Sequence, residues 1–191
     1  MTSLFQKIFI IIIFITFSSN LTKAQPRKGE FINVAVGLGL TSSYDETDIG
    51  GTGFYAQGEY VFGLTKWFNL RPYAGLILTS TNQNSNQHNQ LDYKVTTNAF
   101  LIGGKARICA PLPWVAPYFE IGIGASIGSF ETYTPLTAIK KKGLLTHVPF
   151  SIGLALGRKN NFDVAFTYYY TSAAEQFSGA AAIGFTFPVK W

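Results

Sequence analysis

Period-two alternation, repeated in one stretch after another, constrains this chain more than any other feature. In one stretch Phe119, Ile121, Ile123, Ala125 and Ile127 alternate with Glu120, Gly122, Gly124, Ser126 and Gly128. In another, Val148, Phe150, Ile152, Leu154 and Leu156 alternate with Pro149, Ser151, Gly153, Ala155 and Gly157. Near the start, Ile32, Val34, Val36, Leu38 and Leu40 alternate with Asn33, Ala35, Gly37, Gly39 and Thr41. The last stretch sets Ile183, Phe185, Phe187, Val189 and Trp191 against Ala182, Gly184, Thr186, Pro188 and Lys190. Successive side chains of an extended strand point to opposite faces, so each stretch owns one wholly apolar face. A soluble sandwich or barrel would load the other face with Lys, Glu and Thr for water. Here that face is mostly Gly, Ala and Ser with isolated charges, which suits a crowded interior and leaves the large side chains for lipid.

Eight segments carry this character, near 30–41, 53–64, 69–80, 94–109, 115–129, 146–158, 162–172 and 178–191. Each approaches or exceeds the ~9–11 residues that a tilted strand needs to cross a hydrocarbon layer. Short connections follow the second, fourth and sixth segments, at 65–68, 110–114 and 159–161. Longer ones follow the others, including the Asn/Gln-rich stretch Thr81–Tyr93 and the stretch Phe130–Leu145. Short turns at one end and long loops at the other is the rhythm of an outer-membrane barrel. Backbone groups in lipid cannot go unpaired, so the eighth strand must return to the first. The expected fold is all-β: an eight-stranded antiparallel up-and-down transmembrane β-barrel over residues 25–191.

Residues 1–24 read as a cleavable signal peptide. Lys7 supplies a positive start, Ile8–Phe17 an apolar run, and Thr22-Lys23-Ala24 a cleavage context before Gln25. That run is too short for a spanning helix of ~20 residues. Composition agrees with a membrane barrel: only 13% of residues are charged and 16% are aromatic, where ~25% charged is usual for a soluble protein. The net charge of +5 comes without a long basic stretch interleaved with aromatics, which argues against nucleic acid as a partner. A single cysteine, Cys109, excludes an internal disulfide framework.

Strand parity places Glu59, Arg71, Lys105, Arg107, Glu120 and Asp163 on the lumen side, three acids and three bases. Pairing brings Glu59 near Arg71 and Arg107 near Glu120. Buried charges persist only when paired, so these six read as a structural network; an ion gate or polar ligand site is the alternative use of the same groups. Trp67, Trp114 and Trp191 all fall at the short-turn end, where indole rings favour a membrane–water interface. Tyr44, Phe54, Tyr93, Phe130, Tyr168 and Tyr170 lie near the opposite end and are expected to form an outer girdle. His147 shares an inner face with Ser151, but no acid or His-x-Ser spacing accompanies it, so no catalytic residues are assigned. Asp45, Glu46 and Asp48 lack a metal-site pattern; they read as a solvated acidic loop, and no metal or cofactor is expected.

The signal peptide, eight strands, loop rhythm and terminal Trp191 together resemble small bacterial outer-membrane β-barrel proteins with an OmpA-like architecture. The Gly-rich strands and Ala24-Gln25 look like the porin-family outer-membrane barrels common in Bacteroidetes. The resemblance implies export to the outer membrane of a Gram-negative bacterium and insertion by the barrel-assembly machinery. Ile183, Phe185, Phe187, Val189 and Trp191 would then be the assembly signal, with outer-membrane lipid around them. It also implies a non-enzymatic structural or surface-interaction role through external loops, toward an extracellular partner that the residues do not specify. A narrow pore or carrier for small molecules is the first alternative, and a lipid-modifying enzyme the second.

Overall fold

The structure, a computed structural model, describes residues 28–44, 49–81, 94–134, 137–171, 174 and 176–189. Eight strands follow one another: β1 (Gly29–Ser43), β2 (Gly50–Gly63), β3 (Phe68–Thr81), β4 (Lys94–Cys109), β5 (Trp114–Tyr133), β6 (Ala138–Gly157), β7 (Phe162–Tyr170) and β8 (Gln176–Pro188). Each pairs antiparallel with its neighbours in the chain. β8 pairs back onto β1, from Pro188 opposite Phe31 to Gln176 opposite Ser43, and the sheet closes. Closure gives the edge groups of the first and last strands the partners that lipid cannot supply.

All eight expected segments are strands. The fifth and sixth run further than expected, because the alternation continues past residue 129: Phe130 and Thr132 face in, Tyr133 faces out. The stretch Phe130–Leu145, expected as a long loop, is therefore mostly paired hairpin, with Ser129 opposite Lys142 and Tyr133 opposite Ala138. Its turn is short, Thr134 N–H donating to the Thr137 carbonyl at 2.8 Å. β7 is much shorter than β6 and meets it only from Val148 to Leu156, so Ala138–His147 is held by β5 alone among the described strands. Asp45, Glu46, Asp48, Tyr93, Lys190, Trp191 and the expected signal peptide lie outside the described residues.

The exterior is apolar on every strand. Val36, Phe54, Leu70, Phe100, Ile121, Ile152, Phe166 and Phe185 are all exposed, and Ile123 reaches 71%. A monomer in water rarely carries a contiguous apolar patch beyond a few hundred Å². A belt around the whole barrel is a lipid-facing surface, and the barrel is a transmembrane one.

Inside, the inward residues change in tiers from the short-turn end upward. On β4 they run Arg107, Lys105, Gly103, Leu101, Ala99, Thr97; on β3, Arg71, Tyr73, Gly75, Ile77, Thr79. Charges come first, then tyrosines and amides, then an apolar layer of Ile77, Ala99, Leu101, Phe130 and Ala180. A hydroxyl-rich layer caps it, where Gln176 Nε2 donates to Thr97 Oγ1 at 2.5 Å and Thr132 Oγ1 donates to Gln176 Oε1 at 2.8 Å. Phe130 thus belongs to the lumen at 2% exposure, and not to the outer girdle. It shares its parity with Glu120 and Ser126, which decides its direction. Tyr44, Phe54 and Tyr170 are exposed.

Ile121→Arg places a charge within the apolar belt. We expect a loss of about 2–4 kcal/mol if that site lies near the bilayer midplane. Urea unfolding in phospholipid vesicles measures it; a change below about 0.5 kcal/mol, as at a watery surface, would contradict the lipid-facing assignment.

Candidate functional site

The strand faces that turn glycine and serine inward also deliver all six predicted lumen charges to one place. Glu59 comes from β2, Arg71 from β3, Lys105 and Arg107 from β4, Glu120 from β5 and Asp163 from β7, and all are buried. Glu120 is the hub. Its Oε1 accepts from Arg107 Nε at 2.6 Å and Arg71 Nη1 at 3.0 Å, and its Oε2 lies 2.8 Å from Lys105 Nζ. Glu59 Oε1 lies 2.6 Å from Lys105 Nζ and accepts from Gln57 Nε2 at 2.6 Å. Glu59 Oε2 is 2.9 Å from Arg71 Nε, but that contact lacks hydrogen-bond geometry, so the attraction there is coulombic. Asp163 takes Arg107 Nη1 at 3.0 Å and Asn33 Nδ2 at 2.8 Å.

Three positive and three negative groups cancel, and the guanidinium of Arg107 also lies 3.5 Å from the centre of the Tyr118 ring. Gly153 makes room for that ring, since a Cβ there would overlap its hydroxyl end. An isolated charge in this interior would be very costly, and mutual pairing offsets that cost. The cluster spans the lumen between β2, β3, β4, β5 and β7.

The tier above is built of hydroxyls. Tyr169 Oη donates to Gln57 Oε1 and meets Tyr55 Oη, each at 2.9 Å. His147, 1% exposed, uses both ring nitrogens: Nε2 meets Tyr73 Oη at 2.5 Å and Nδ1 meets Ser126 Oγ at 2.7 Å. Gly124 makes this possible, because a Cβ there would collide with both Tyr73 and His147. Ser151, the serine that sequence parity put beside His147, bonds Thr167 instead at 2.9 Å. Tyr73 and Ser126 share parity with the charges, but spacing within their own strands does not point to His147. A histidine with hydroxyls on both nitrogens has no carboxylate to orient it as a general base. Among the described residues no group of His, Cys, Asp and Glu could hold a metal ion.

Trp67 and Trp114 are exposed at the short-turn end. Ile183, Phe185 and Phe187 point outward from β8, and Val189, just beyond its end, donates its N–H to the Glu30 carbonyl at 3.0 Å. Cys109 is buried, its Sγ 3.6 Å from the Lys66 carbonyl. At the far end of the β5–β6 hairpin, Glu131 lies 2.8 Å from Lys94 and 2.5 Å from Lys140. Hydrogen bonds from Lys140 and Lys94 pull its carboxyl down to about 2, and Glu131 raises Lys140 in return.

No family model matches this chain, and no curated protein does either. Solved structures do match. Neisserial surface protein A is 12% identical, with a TM-score of 0.58 over 85% of this chain and 98% of that one. The outer membrane protein OprG from Pseudomonas aeruginosa is 10% identical, with a TM-score of 0.54 over 87% of this chain and 99% of that one. At these identities the likeness is one of fold, that of small outer-membrane β-barrels.

Glu120→Gln leaves three cations short of their shared acceptor. We expect a cost of about 3–5 kcal/mol, read as a lower temperature for loss of the folded, faster-migrating band on a semi-native gel. An unchanged temperature would show that the six charges do not stabilise the barrel.

Proposed function

We propose that this chain, with the fold of a small outer-membrane barrel, is a non-enzymatic integral protein of the Gram-negative outer membrane whose work is done by its external segments. One observation carries the reading: above the short-turn mouth the lumen is filled by paired charges, hydroxyls and an apolar layer, and capped by Gln176. A filled eight-stranded barrel has little room for transport. The tight hydroxyl partners of His147 and its lack of an acid also weigh against a hydrolase. What is left to meet other molecules lies beyond the belt.

The short turns, with exposed Trp67 and Trp114 and the two ends of the barrel, belong on the periplasmic side in this reading. The β5–β6 hairpin then stands outside. It displays Lys140, Lys141 and Lys142 in succession, exposed, along an edge that β7 does not cover. Lysines on an uncovered strand edge discourage pairing with like strands and favour acidic partners. The outward Ile183, Phe185 and Phe187, on the strand that closes onto β1, support an assembly signal read by the barrel-assembly machinery.

Single cysteines test this orientation, since Cys109 is buried and silent. Lys141→Cys is expected to react with a membrane-impermeant maleimide on intact cells. Lys66→Cys is expected to react only after the outer membrane is permeabilised. The opposite pattern, or no surface reaction at Lys141→Cys in a folded barrel, would contradict the reading.

A further inference from the structure

At the short-turn end the packing stops before the mouth. A cavity of about 230 Å³ opens there, below the charge tier, and the side chains of Arg71 and Arg107 reach its inner wall. A single water needs only ~10–15 Å³ of such space. The cavity is large enough for a small organic molecule.

Its polar wall contains groups that the fold does not use. Asn69 and Asn160 both line the cavity and are only 7% and 9% exposed. Among the described residues Asn69 Oδ1 and both amide atoms of Asn160 have no hydrogen-bond partner. Neither side chain is explained by local structure. Asn69 is an inward position of β3, where alanine or serine would serve. Asn160 sits in the β6–β7 turn at a φ of 48°, a conformation that Asn tolerates but Gly fits as well. Burying unpaired amides is unfavourable unless something meets them.

The chemistry of the wall specifies the occupant. The free atoms include two acceptors and a donor, the complement of a peptide unit with its one N–H and one C=O. Lys159 stands at the rim, exposed and in no ion pair among the described residues. It adds a cation beside guanidinium groups already balanced by the acids of the charge tier. Phe31 and Val61 give the cavity an apolar side. A saccharide would meet the amides but would bring no anion for Lys159; an inorganic anion would leave the apolar side bare.

We infer that this mouth binds a short peptide through its free C-terminal carboxylate and last amide, with a small aliphatic side chain against Phe31 and Val61. The site is independent of whatever the external hairpin meets. The peptide amide pairs with Asn69 and Asn160, and the carboxylate lies toward Lys159.

Calorimetric titration of the full barrel in phospholipid nanodiscs tests this, with N-acetyl-Ala-Ala as probe. One saturable site is expected. N-acetyl-Ala-Ala carboxamide is expected to bind about tenfold more weakly, the loss of one charge-assisted contact. Asn69→Ala and Asn160→Gly should each weaken the acid by about tenfold while the heat-dependent gel mobility stays normal. Lys159→Gln should abolish the preference for acid over carboxamide and leave carboxamide binding intact. Should Asn160→Gly fail to fold, Asn69→Ala and Lys159→Gln decide the matter. Absence of saturable binding to the unaltered barrel would overturn the inference. So would equal affinity for acid and carboxamide, tighter binding of N-acetylglucosamine, or variants that bind as the parent does.

Discussion

Everything in this molecule follows from the hydrogen bond between β1 and β8. A sheet in lipid has no solvent to satisfy its edges, so it must close. Closing with eight strands makes an interior barely wide enough for side chains. That narrowness inverts the usual distribution of residues. Large apolar groups such as Ile121, Ile123 and Phe185 go outside, where lipid accepts them, and glycine, alanine and serine go inside. Gly124 and Gly153 show how tight the interior is: each is replaced in space by a neighbour's ring or hydroxyl.

The charges are consistent with the same constraint. Six ionised groups in a narrow lumen are tolerable only as a neutral, mutually bonded set, and Glu120 joins three of them. Such a set adds less stability than its contacts suggest, because desolvation offsets most of the attraction. Its stronger effect is on register. Sliding any one strand by a single residue would turn Arg71, Lys105 or Glu120 toward lipid and bring large apolar side chains inward. An apolar interior would penalise that slip far less. A charge tier of this kind would disfavour a slipped pairing, and the apolar and hydroxyl tiers lie above it.

Much of this was legible from spacing alone. Parity identifies the lumen charges because a strand has only two faces, and it fails only where it was not followed through. Phe130 is the instance: judged by its place near a strand end it looked like a girdle aromatic, yet its even number puts it beside Ser126 and inside. The β5–β6 hairpin was underestimated for a related reason, since Lys140–Lys142 read as loop when strand pairing with Ser129–Glu131 holds them extended. The partners of His147 follow from register: Tyr73, Gly103, Gly124 and His147 are successive partners across β3 to β6, and the two glycines let the Tyr73 hydroxyl reach the imidazole beside Ser126 of the neighbouring strand. The cavity amides were hidden, because nothing in a sequence distinguishes an asparagine that is bonded from one that is not.

The central claim is that a lipid-embedded barrel is sealed by its own side chains. Single-channel recording of the refolded mature protein in a planar bilayer tests it most directly. The account requires a quiet baseline from protein whose heat-dependent gel mobility shows that it is folded. Stable, reproducible conductance steps from the same preparation would mean that the charge tier lines a passage, and the sealed-barrel account would be wrong.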